Sequence, residues 1–208
     1  MSDLQTVRAR VADYINRTDL NTQIDVEINR AIEYYAKGER FWFNEEVGTF
    51  STVSGQLIYT SSDSIPTPIR EIDLVEISLT STNKIELEEI SYHDIRNYTV
   101  NTSATGTPAK YAYYNENIYI YPIPGAVYTV TVSYVKGYAV LTAAQSNDFT
   151  TNAEDLIEAR AARMIYDGIL HNSTQSDRCA NRELDALGAL RSETQRLAGT
   201  GRITPTSF

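Results

Sequence analysis

Apolar residues recur at helical spacing at both ends of this chain and at every second position through its middle, so one kind of structure must interrupt another. Leu4, Val7, Val11, Tyr14 and Ile15 line one face of a first helix, and Ser2 and Gln5 have the spacing of a capping box. A polar turn over residues 18–21 leads to a second stripe of Ile24, Ile28, Ala31, Ile32 and Tyr35, ended by Gly38. Helices this short need partners to be stable. None lies nearby in sequence. Helical spacing returns at Asn152, read as an N-cap with Glu154 and Asp155 in the first turn. Ile157, Ala161, Met164, Ile165 and Gly168 form the stripe of a long helix. Ser176 is read as the cap of the next, which carries Ala180, Leu184, Leu187, Leu190 and Leu197. The economical packing closes both ends of the chain into one four-helix bundle.

Between the ends the pattern is that of short strands. Residues 46–53 form the first, Gly55 turns the chain into residues 56–60, and residues 72–79 alternate next. Residues 84–88 alternate with acids on the wet side, and Ser91 with Asp94 caps a helical turn through Tyr98. Residues 109–114, the three-residue turn Asn115-Glu116-Asn117 and residues 118–121 read as a hairpin. Pro122 and Pro124 break it before a long strand from Val127 to Tyr138. The expected class is α+β: a four-helix bundle from residues 1–40 and 150–198, with a small antiparallel β-sandwich or barrel inserted at 41–149. Two glycines and a proline stop the last helix, so 199–208 is expected to leave as an extended C-terminal arm. That arm carries the apolar Ile203 and Phe208. It is either a frayed end or the means by which one subunit grips another.

Charge narrows the function classes. The formal net charge is −9, and it divides as −1 over residues 1–38, −7 over 39–151 and −1 over 152–208. A protein that grips nucleic acid by its phosphates needs the opposite sign. Runs of about twenty apolar residues are absent, so no membrane span is expected. The helical pattern starts at the N-terminus, which argues against a signal peptide, and the lone Cys179 fits a reducing compartment.

Catalytic signatures are thin, and neither an enzyme nor a cofactor or metal site is expected. His93 and His171 lie in different segments; Asp167 precedes His171 by one helical turn, but no nucleophile is placed beside them. Glu86, Glu88 and Glu89 read as the wet face of a strand rather than calcium ligands. Cys179 sits near a helix start without a strongly basic neighbour. Residues 101–103 match a glycosylation acceptor pattern of no meaning for a cytoplasmic product. Tyrosine is abundant, at fifteen residues against five phenylalanines. Tyr111, Tyr113, Tyr119 and Tyr121 share one parity in the hairpin, which suggests one face of four rings. Such a face serves core packing, a protein interface or carbohydrate stacking.

Several stretches resemble the head-to-tail adaptor, or connector, proteins of tailed bacteriophages, mainly the short-tailed kind. The resemblance covers almost the whole chain. It is carried weakly by Tyr14-Ile15-Asn16-Arg17 and Ile28-Asn29-Arg30-Ala31, and more by residues 105–108 with 111–114 and 118–124. Residues 153–166, 183–190, 193–197 and 201–203 carry it as well. The resemblance implies a homo-oligomeric ring, commonly a dodecamer, docked under the portal protein at the head–tail interface of the virion. Its helical bundles would line a channel through which DNA passes without specific binding. Its β-modules would face outward or toward the next tail component, a nozzle or tail tube. The C-terminal segment would reach the portal, with Arg196, Gly199, Gly201, Arg202, Ile203, Pro205 and Phe208 as its contacts. Tyr111, Tyr113, Tyr119 and Tyr121 would then meet a tail component or a neighbouring subunit. The alternative reading is a carbohydrate- or receptor-binding module that uses the tyrosine face.

Overall fold

The computed structural model describes residues 2–101, 104–142 and 144–197. In chain order α1 (Leu4–Ile15) and α2 (Asn21–Gly38) lead through a short 3-10 turn to β1 (Glu45–Ser51), β2 (Ile58–Tyr59), β3 (Ile69–Ser78), β4 (Lys84–Glu86) and β5 (Glu88–Glu89). Helix α3 (Tyr92–Asn101) precedes β6 (Thr105–Gly106), β7 (Lys110–Tyr114), β8 (Asn117–Tyr121), β9 (Ile123–Pro124) and β10 (Thr129–Lys136). The chain then returns to helix in α4 (Asp148–Asn152), α5 (Glu154–Gly168) and α6 (Ser173–Leu197). The class is mixed α+β. Two compact units result, one from the chain through Asn44 together with the chain from Tyr138 onward, the other from residues 45–137.

In the helical unit, α5 packs against α1, α2 and α6. Its apolar surface is therefore not one stripe: Leu156, Ile157, Ala159, Ala161, Ala162, Ile165 and Tyr166 are all buried. The alanines let neighbouring backbones approach closely. Met164 and Gly168, expected on the buried stripe, are exposed instead. The stripes expected of α1 and α2 are buried, except that Tyr14 remains largely exposed. Phe41, Phe43, Leu141 and Phe149, which lie within the stretch expected to be β-structure, are buried among the helices' apolar side chains. Asn29 holds this returning chain in place, since the Leu141 N–H donates to its Oδ1 at 2.7 Å and its Nδ2 donates to the Leu141 carbonyl at 3.1 Å.

The caps sit at other residues than the spacing suggests. Asp3, not Ser2, caps α1 by accepting from the Thr6 N–H, while the Ser2 hydroxyl donates to Glu154. Asn147 and Thr150 cap each other at α4, so helix begins at Asp148, four residues before Asn152, and α5 has no side-chain cap. Helix α6 starts at Ser173 with the Gln175 N–H donating to Asn172 Oδ1, which leaves Ser176 inside the helix and buried. At α4 and α6 the cause is the same, a polar side chain upstream of the expected cap that already satisfies the free N–H groups of the first turn, whereas at α1 the capping carboxylate lies one residue downstream.

In the β unit one four-stranded sheet runs β1-β10-β3-β4 and another runs β2-β8-β7-β5. Phe50, Val75, Ile77, Val130 and Val132 of the first and Tyr59, Tyr111, Ile118 and Ile120 of the second are buried in one apolar cluster. The pairing is not wholly antiparallel as expected. β5 runs parallel to β7, and β6 runs parallel to β9. The β7–β8 hairpin turns on two residues, Asn115 and Glu116, both at positive φ (50° and 60°). That is the geometry of a type I′ turn, whose second position favours glycine. Glu116→Gly should therefore stabilise the β unit by about 0.5 kcal/mol, left-handed strain being relieved against greater freedom of the unfolded chain. A higher urea midpoint at unchanged slope would register it; an unchanged or lower midpoint would count against the turn.

Candidate interaction surfaces

The tyrosines do not share a face. In an antiparallel pair, cross-strand partners point the same way, and here Tyr111 faces Ile120 and Tyr113 faces Ile118, while Tyr119 faces Ala112. A three-residue turn would have put equal parity together; the two-residue turn shifts the register by one and splits the rings. Tyr111 and Tyr113 belong to the apolar cluster that the two larger sheets share, where burial pushes the Tyr111 hydroxyl up to about 12 and the Tyr113 hydroxyl donates to the Ile69 carbonyl at 3.1 Å. Tyr119 and Tyr121 belong to a second cluster with Ile95 of α3. Tyr92 packs on Tyr119 at 4.9 Å between centroids, and Tyr98 stacks on Tyr121 at 5.2 Å. The expected four-ring platform does not form. Exposed rings in this unit are instead Tyr98 and Tyr114, the latter stacked on Tyr92 at 4.3 Å.

Of the expected portal contacts, only Arg196 is described. It lies in the last turn of α6, largely exposed, with its guanidinium 3.6 Å from Glu193. Gly199, Gly201, Arg202, Ile203, Pro205 and Phe208 lie outside the described residues, as does the expected arm.

The densest polar site is one that the sequence pattern did not single out. Glu183 is buried in the middle of α6, between Cys179 and Leu190. Arg160 Nη1 donates to its Oε1 at 2.7 Å, Arg163 Nη1 donates to its Oε2 at 3.0 Å, and the Tyr35 hydroxyl donates as well. Burial alone would raise this carboxyl, but the three hydrogen bonds outweigh it and hold the group below the usual carboxylate range. The Tyr35 hydroxyl is pushed upward by burial first and then by the Glu183 charge. The Arg160 guanidinium also lies 3.4 Å from the centroid of the Tyr34 ring. A charged residue at i+4 from Cys179 and i−7 from Leu190 was the available signal. It reads as a helix face only after the two arginines of α5 are known to meet it.

A second network lies on the other flank of α6. Arg182 Nη2 donates to Glu158 at 3.0 Å and to Asp155 at 3.1 Å, and Arg10 reaches Glu154 at 2.9 Å. Burial raises the Glu158 carboxyl despite the opposing pull of Arg182. Each flank is concave. The first groove, about 340 Å³, is lined by Tyr34, Arg160, Arg163, Leu184, Leu187 and Arg191 together with Glu39 and Glu183. The second, about 350 Å³, is lined by Arg10, Glu154, Asp155, Ala186, Ala189 and Glu193 among others. Leu184, expected on the buried stripe, is 65% exposed. The buried edge of α6 instead runs through Ser176, Cys179, Glu183 and Leu190, because the arginines of α5 make a buried carboxylate there affordable in energy.

The other candidate groups stay apart. His93 is in α3 of the β unit, and His171 is exposed beyond the end of α5 in the helical unit. Cys179 is buried and its thiol is raised by that burial, the reverse of an activated nucleophile. Among the described residues no group of three His, Cys, Asp or Glu is placed to hold a metal, and no helix is long and apolar enough to cross a membrane. Over residues 2–205 the chain matches a family model described as SU10 adaptor protein. No curated protein matches it.

Proposed function

The chain belongs to the SU10 adaptor protein family, and from that membership we propose that it is a structural component of a phage virion that joins head to tail. It docks as a homo-oligomeric ring, a dodecamer, on the portal protein and passes the joint to the next tail component. It acts without cofactor and without catalysis. The observation that carries the reading is the family match, which extends over residues 2–205 and so takes in all four of the longer terminal helices and most of the expected arm. In this reading α1, α2, α5 and α6 work as a four-helix bundle, residues 45–137 as a small β-sandwich, and 199–208 as the portal-binding arm.

Two further features support it. The near-balanced charge of the helical segments, −1 over residues 1–38 and −1 over 152–208, suits a channel through which DNA must slide rather than stick. The helical unit also carries a concave, charged groove on each flank of its longest helix, as subunits that touch neighbours on two sides require. The arm's two apolar residues fill pockets, Arg202 and the neighbouring Arg196 of α6 meet carboxylates, and repetition around the ring offsets the entropy lost on ordering.

The test is deletion of residues 199–208. Thermal unfolding should be unchanged, because the buried residues of α6 among those described reach no further than Leu190. Electron microscopy of the truncated protein mixed with a cognate portal ring should show bare portals, where the full chain adds a second ring. A truncated protein that still assembles removes the arm as anchor. A full-length protein that ignores the portal removes the adaptor reading itself.

A further inference from the structure

We propose that neighbouring copies of this chain dock flank to flank through α6, the arginine-lined groove of one copy receiving the acid-lined groove of the next. The proposal rests on the ring reading and names the surfaces that close the ring. Ala180, Leu184, Leu187 and Arg191 follow one another at helical spacing on the first flank of α6. Ala186, Ala189 and Glu193 do so on the second. At 3.6 residues per turn the two sets face roughly opposite directions. A helix used on opposite sides makes a heterologous contact, in which each copy offers a different face to each neighbour.

Charge assigns the occupant. In the lining of the first groove Arg160, Arg163 and Arg191 outnumber Glu39 and Glu183, an excess of one cation. Both acids are already engaged, Glu183 by Arg160 and Arg163, and Glu39 by Arg191. On the second flank Arg10 meets Glu154, Asp155 and Glu193, an excess of two anions. The flank stays acidic when Arg182, Arg196 and Glu158 are counted with it. Two copies joined by their first flanks would set arginines against arginines and would close at a dimer. First flank against second sets opposite signs together and leaves a free flank at each end.

The apolar features agree. Leu184 and Tyr34 are 65% and 56% exposed on the first flank, beside the partly buried Leu187. Tyr34 is held in place by the Arg160 guanidinium over its ring, so little side-chain freedom remains to be lost on docking. The second flank offers the small side chains Ala186 and Ala189, which leave room for a leucine from the next copy.

Charge inversion tests this. Arg191→Glu turns the first flank's excess of one cation into an excess of one anion, so both flanks are acidic. Asp155→Lys turns the second flank, counted with Arg182, Arg196 and Glu158, from an excess of one anion to an excess of one cation, so both flanks are basic. Both positions are largely exposed, so the melting temperature should stay close to that of the unaltered chain. Mixed with portal rings and imaged, either variant alone should show ring occupancy about tenfold lower, as like-charge contacts at an interface oppose assembly. An equimolar mixture of the two should restore complete rings, because alternating copies again set opposite signs together. Leu184→Asp should likewise empty the ring without lowering the melt. Complete rings from the single variants, or a mixture that fails to restore them, would overturn the flank-to-flank contact. Either result leaves the adaptor reading standing as long as the unaltered chain docks.

Discussion

Phe149→Ala should destabilise the helical unit by about 4 kcal/mol, the loss seen when a large buried ring is cut to a methyl group. Phe149 is fully buried, and its ring meets Phe41 at 6.1 Å, Phe43 at 5.2 Å and Tyr138 at 4.9 Å between centroids. The geometry is edge-on throughout, which adds to the area buried. These four rings come from three stretches of chain: the exit of α2, the return from the β unit, and α4. Their cavity cannot collapse easily, because Phe41 and Phe43 are also stacked on one another. Denaturant unfolding of the helical unit, followed by far-UV circular dichroism, would read the change. A loss below about 1 kcal/mol would mean that the ring cluster does not hold this end of the unit together.

Removal of the Glu183 carboxylate should cost about 3 kcal/mol, because Glu183→Ala strands Arg160 and the Tyr35 hydroxyl in a buried site. The figure is at the low end for a buried pair, since the Arg163 side chain remains 43% exposed and can return to water. The pH dependence distinguishes a charge effect from simple packing. Glu183 titrates below its ordinary carboxylate value when folded, so its contribution is fully present above about pH 4.5, the unfolded value. It is lost as pH falls through the lower folded value. Glu183→Gln, which keeps the volume, should therefore lie well below the unaltered chain in stability at neutral pH. The gap should narrow only in acid. A gap that does not change between pH 7 and pH 3 would assign the loss to packing.

Much of the fold was legible because helical and strand periods are properties of local backbone geometry. Ile24, Ile28, Ala31, Ile32 and Tyr35 are all buried, as their spacing requires. The Ser91–Asp94 cap forms at the expected start of α3, with the Asp94 N–H donating to the Ser91 hydroxyl at 3.1 Å. The hairpin forms where expected too, and Gly55 takes the positive φ of its turn. Phe41, Leu141 and Phe149 were harder to place. Their burial depends on which unit the chain joins as it crosses from one to the other, and single side chains carry no period.

The candidate surfaces were less legible, for two separate reasons. A hairpin read one residue too long at its turn sends every side chain of one strand to the wrong face, so four tyrosines expected together divide between two clusters. On α6, hydrophobicity alone turns Leu184 inward and Glu183 outward. The reverse holds because Arg160, Arg163 and Tyr35, from other helices, supply the donors that a buried carboxylate needs. The sequence by itself determined that helices at the two ends flank a β-rich middle along the chain, since that follows from periods each segment carries alone. The hairpin register and the buried edge of α6, with the two grooves beside it, were decided by the tertiary structure. Both depend on groups that only folding brings together.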